Sequence, residues 1–162
     1  MDRQAQLEKK KQRGFTTSLI SLFALLCIVL VVGGVGWHYF YGPCGVTRVK
    51  AASEKLSAQN QVFDDAYNVA SSTARISLAQ PVSELQRIQR ETDAVPVPAC
   101  METAKTELVL SMDAAVKGFL AFMANESDSQ VSTLFDSSVD HLMKFSDEML
   151  AVDDCKPFCS TE

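Results

Sequence analysis

The chain has 162 residues, 15 Lys and Arg against 20 Asp and Glu, a net charge of −5 and 47% hydrophobic residues. That length accommodates one domain of ordinary size. Beyond Gly42, ten Lys or Arg stand against eighteen Asp or Glu, and so acidic a segment repels phosphate, which argues against nucleic acid as a partner.

The first fourteen residues are basic, with Arg3, Lys9, Lys10, Lys11 and Arg13. From Phe15 to Thr47 there is no Lys, Arg, Asp or Glu, and Leu19 to Val35 is almost wholly aliphatic. A helix needs about 20 apolar residues to cross a bilayer, so Phe15 to Tyr41 is long enough to span one with some tilt. Trp37, Tyr39, Phe40 and Tyr41 cluster at its end, where aromatic rings with polar edges favour the headgroup level. His38 sits in the same belt. Basic residues before the span outnumber those just after it (Arg48, Lys50, Lys55), which predicts a cytoplasmic N-terminus and a C-terminal domain outside, in a periplasm, at a cell surface or in a lumen.

Other readings of this start fit less well. A cleaved export signal has an apolar core of about 7–15 residues and a small-x-small exit; Gly34-Val35-Gly36 offers that exit, but the run is longer and carries the aromatic belt. Leu25-Leu26-Cys27 has a lipoprotein outline without the small residue before Cys27, which reads better as an apolar filler within the span. Gly14-Phe15-Thr16, after a basic leader and before an apolar helix, resembles the prepilin cleavage site. That family places a glutamate five residues into the mature chain, where Leu19 stands here, and continues its first helix where Gly42-Pro43 breaks this one. The resemblance stays local and implies no function.

Beyond the break, Val49, Leu56, Phe63 and Ala70 fall seven apart, with Ala52, Ala66 and Thr73 on a companion row. This pattern predicts a helix over 46–75 with one buried stripe. A second helix is expected to open at Pro81, bury Val82, Leu85 and Ile88, and stop near Thr92. Ala94 to Cys100 (AVPVPAC) reads as an extended connector, with Pro98 opening the next helix. Met101, Ala104, Leu108, Met112, Ala115, Phe119, Phe122 and Met123 then recur at spacings of three and four, a stripe widened by Val109, Leu110, Val116 and Leu120. This is expected to be the most buried helix. After a loop at 125–129, with Ser127 or Asp128 as cap, a last helix carries Val131, Phe135, Val139, Leu142, Phe145, Met149 and Val152. No stretch alternates with a period of two.

Cys44, Cys100, Cys155 and Cys159 lie outside the span, and an even count in an exported domain predicts two disulfides. Cys44–Cys100 with Cys155–Cys159 is the favoured pairing of the three available. It requires that the starts of the first and third bundle helices share a pole. The tail CKPFC also admits a soft-metal reading, with Cys155, Cys159 and His141 as copper ligands, beside the simpler one of a structural disulfide and a solvent-facing His141. Asp64-Asp65 and Asp153-Asp154 are adjacent carboxylates that point in different directions on a helix and make no acid–base pair. Asn125-Glu126-Ser127 is a glycosylation sequon in an expected loop. No motif for hydrolysis, phosphate binding or haem attachment is present, so neither catalysis nor a cofactor is expected.

The sequence therefore predicts an all-α protein: a cytoplasmic basic segment (1–14), a transmembrane helix (15–41), an extracytoplasmic bundle of three to four helices (42–152) and a Cys-containing tail (153–162). The expected role is a membrane-anchored module that binds other membrane or extracytoplasmic proteins, as an accessory or assembly subunit. Two alternatives stand beside it: a sensory bundle holding an apolar molecule beside Phe119 and Met123, and a copper or thiol-redox protein using Cys155 and Cys159.

Overall fold

The structure, a computed structural model, describes residues 44–154 together with Leu26, Ile28, Leu30 and Gly34. The chain divides into two units, Met1–Gly42 and Pro43–Glu162. In the first, the four described residues are helical, and Leu26, Ile28 and Leu30 expose their side chains. The expected span otherwise lies outside the described residues, as do Cys27, Trp37, His38, Tyr39, Phe40 and Tyr41. Among the described residues no helix is long and apolar enough to cross a membrane.

The second unit is helical and, among the described residues, contains no strand. Its elements are α1 (Val46–Ser71), a 3-10 turn (Arg75–Ser77), α2 (Ala79–Asp93), a second 3-10 turn (Ala99–Met101), α3 (Glu102–Met123) and α4 (Asp128–Asp154). Each helix packs on the next in sequence, and the α3–α4 interface is the most extensive.

In α1, Val49, Ala52, Leu56, Phe63 and Ala70 are buried, as their spacing predicts. The helix ends at Ser71 rather than near Arg75. The Ser71, Ser72 and Thr73 hydroxyls donate to the carbonyls of Tyr67, Asn68 and Val69, and such side chains compete with the continuing helical ladder. Leu78, fully buried, follows the 3-10 turn and anchors the chain before α2. α2 opens at Ala79, two residues before Pro81. Proline is tolerated there because amides of the first turn have no intrahelical acceptor. Val82, Leu85 and Ile88 are buried, and Thr92 joins them by donating its hydroxyl to the Ile88 carbonyl at 2.9 Å.

The α3 helix carries ten buried residues, more than α1 or α2. Met101 just before it is also buried, as are Ala104, Leu108, Met112, Ala115, Val116 and Phe119. Leu110 and Leu120 are exposed instead of widening this stripe. A second face of α3 does the widening: Ser111, Ala114, Gly118 and Ala121 are buried. These small residues let α4 approach closely. A Cβ built on Gly118 would stand 2.9 Å from the Phe135 ring, and Ser111 Oγ donates to the Ser138 carbonyl at 2.9 Å.

The α4 seam differs accordingly from the expected one. Phe145 is buried, and Phe135, Met149 and Val152 pack against the core, but Val139 and Leu142 are exposed. Ser138, which no count of apolar residues would select, takes the contact one residue before Val139.

Candidate interaction surface

At one pole, Cys44 and Cys100 lie at disulfide-bonding distance, with Cα atoms 6.1 Å apart. Gly45 starts α1 by offering its carbonyl to the amides of Arg48 and Val49, and Pro98 starts the 3-10 turn before α3 by accepting from Met101. The starts of these two helices thus share a pole, the condition the favoured pairing required. A four-residue loop, Ala124 to Ser127, turns α4 back along α3, and α4 contacts the Ala99–Met101 turn. The end of α4 therefore returns to the pole of Cys44 and Cys100. Cys155 and Cys159 lie outside the described residues.

At the opposite pole, Tyr67, Phe119 and Phe135 from α1, α3 and α4 meet edge to face, with ring centroids 5.2 to 6.1 Å apart. Such geometry suits the ring quadrupoles. The Arg75 guanidinium lies 4.3 Å from the Phe122 ring centroid and donates to Asn125 Oδ1. Asn125 has φ of 60°, and the amides of Asn125 and Glu126 donate to the carbonyls of Phe122 and Ala121. This is the Schellman arrangement that closes a helix C-terminus. Ser127 then caps α4: its carbonyl accepts from the Gln130 and Val131 amides, and its hydroxyl donates to Gln130 Oε1 at 2.7 Å. The sequon asparagine is thus a structural residue of the α3–α4 turn.

His141 is not solvent-facing. It is half-buried, and its Nδ1 lies 2.6 Å from Glu107 Oε2 across the α3–α4 interface. Nothing in the sequence signals this pair, because the two residues are 34 positions apart. His141 also precedes the last described residue by thirteen positions of one continuous helix, about 20 Å along its axis. Cys155 and Cys159, with which the copper reading groups His141, are not among the described residues. Among the described residues no group of three or more His, Cys, Asp or Glu side chains could hold a metal ion. Asp64 and Asp65 are exposed, with Asp64 accepting from Asn68 at 3.5 Å.

Of the residues named for an apolar ligand, Phe119 is buried in the aromatic cluster and Met123 packs against the core. An open cleft of about 550 Å³ lies between α1 and the start of α2, lined by Ala66, Val69 and Pro81 together with the polar Ser77, Gln80 and Glu84. The Glu84 carboxylate is engaged by Arg87, which donates to it at 2.9 and 2.5 Å and holds its pKa below the usual carboxylate range.

The outer face of α4 shows the largest departure from the expected burial. Val139, Met143 and Leu150 are 55%, 55% and 64% exposed, and Leu142 beside them is 37% exposed. Positions i, i+4 and i+11 share one side of a helix, so the first three form a row. No protein-family model matches the chain, and no solved structure matches it.

Proposed function

We propose that this protein is a single-span membrane protein whose extracytoplasmic helical bundle binds other proteins, as an accessory or assembly subunit of a larger membrane complex. The charge-free run from Phe15 to Thr47 behind five basic residues supports the anchor and its orientation. The bonding distance between Cys44 and Cys100 suits an oxidising compartment beyond that membrane. The observation that carries the binding role is the apolar row of α4, Val139, Met143 and Leu150, which stays exposed while Phe135, Phe145 and Met149 of the same helix pack into the core. Contiguous exposed apolar surface on a soluble domain marks an interaction site.

Alkaline extraction and chemical cross-linking in the native membrane test this reading. The expected result is a chain that stays with the membrane and cross-links to another membrane or extracytoplasmic protein. A freely soluble chain, or one that cross-links to no other protein, would count against it.

The cleft between α1 and α2 favours a second reading, a bundle that senses a small apolar molecule. Its volume falls within the range of small-molecule sites. Under that reading an apolar fluorescent probe is displaced by Val69→Trp, whose ring would occupy the cleft. For the copper reading, with Cys155, Cys159 and His141 as ligands, free-thiol titration with and without copper is the deciding measurement.

A further inference from the structure

Three residues before each member of the apolar row stands an aspartate: Asp136, Asp140 and Asp147 precede Val139, Met143 and Leu150. The two rows share the spacing i, i+4, i+11, so they run side by side along the same length of α4. All three aspartates are exposed, and none makes an ion pair or side-chain hydrogen bond among the described residues. Asp136 and Asp140 are like charges at i and i+4, an arrangement that destabilises an isolated helix. Lys144 is the only lysine or arginine of α4. The bundle thus presents an uncovered apolar ridge, whose exposure to water is unfavourable, with a row of unpaired carboxylates along one flank.

The charge pattern selects among occupants. Anionic lipid and nucleic acid are repelled by the aspartate row. A second copy of α4 carries only Lys144 as a cation, so it offers the aspartate row no complementary charge, and antiparallel pairing would juxtapose the two acidic rows. A helix with an apolar stripe flanked by Lys or Arg satisfies both rows at once. We infer that the outer face of α4 docks a basic amphipathic helix of a partner protein, with Val139, Met143 and Leu150 as apolar anchors and Asp136, Asp140 and Asp147 pairing with its cations. This deepens the binding role proposed above and rests on it.

The test uses the full chain in nanodiscs of phosphatidylcholine and two synthetic helical peptides with the same leucine stripe, one flanked by lysines and the other by glutamates. Fluorescence anisotropy is expected to show the lysine peptide binding at least about tenfold more tightly than its twin, and weakening as salt screens the pairs. Asp140→Asn with Asp147→Asn should weaken the lysine peptide several-fold, and Met143→Arg should abolish binding while circular dichroism stays unchanged, since Met143 is already exposed. Equal binding of the two peptides, no binding of the lysine peptide, or indifference to both variants would overturn the inference. So would self-pairing of the chain through α4, read as a Met143→Cys cross-link between copies. The broader reading fails separately: a native partner that cross-links through another face keeps the binding role and removes α4 from it, whereas no native partner at all removes both.

Discussion

A methyl group at Gly118 would stand 2.9 Å from two carbons of the Phe135 ring, a separation that Cβ atoms do not sustain. In an open helix the change to alanine stabilises by about 0.5–1 kcal/mol. Here the ring is held edge to face by Tyr67 and Phe119 and cannot tilt away freely. Overpacking typically costs about 1–3 kcal/mol, so Gly118→Ala is expected to lower stability by roughly 1 kcal/mol in urea denaturation. Adding Phe135→Leu should make the glycine change less harmful, because contacting residues couple. A titration reports on another residue pair. Arg87 holds the Glu84 carboxyl below its ordinary pKa, so this contact stabilises the fold above the unfolded carboxyl value of about 4.3 and loses that effect as pH falls through the lower folded value. NMR titration of Glu84 should show its midpoint rising toward the ordinary range in Arg87→Ala. The stability gap between the two proteins should close in acid. The gap itself should be small, because both side chains face solvent.

Among the elements, the turn between α3 and α4 depends on one residue in the left-handed region. Asn125 is tolerated there better than most residues, and glycine has no steric penalty at all. Asn125→Val should lower the thermal midpoint, at a cost of about 1–2 kcal/mol. Asn125→Gly should cost less, losing only the contact with Arg75. The helices themselves were largely legible in the sequence, because apolar residues at spacings of three, four and seven are what a buried helical stripe requires. Val49, Leu56, Phe63, Val82, Leu85, Ile88, Met101, Leu108 and Met112 are buried as that spacing predicts. The α3–α4 interface was legible only in part: Phe119, Phe135 and Phe145 were expected in the core, but Ser111, Ala114, Gly118 and Ser138 were not. Small and hydroxyl residues pack by letting backbones approach, a property that hydrophobic periodicity does not count. The same blind spot put Val139 and Leu142 in the core, and so the candidate docking face emerged only from their exposure.

For the whole molecule, the bond between Cys44 and Cys100 ties the first helix to the third across 56 residues. In the chain-entropy model a loop of that size contributes about 4 kcal/mol, by limiting the unfolded chain. Cys44→Ser with Cys100→Ser is therefore expected to lower the stability of the bundle by about 2–4 kcal/mol, and reductant should give the same loss in the unmodified protein. Denaturation curves with and without reductant measure it. Helix lengths agree with this closed arrangement, since α1 with 26 residues and α4 with 27 span about 40 Å each.

Because α4 returns to the pole where Cys44 begins the bundle, the order in which the helices are threaded should be separable from the way they pack. A circularly permuted bundle, with Asp154 spliced to Cys44 by a short glycine-serine bridge and new ends opened between Thr73 and Ala74, should keep the same helical spectrum and a cooperative melt. Each original neighbour relation survives such rewiring, except the short link from α1 into α2.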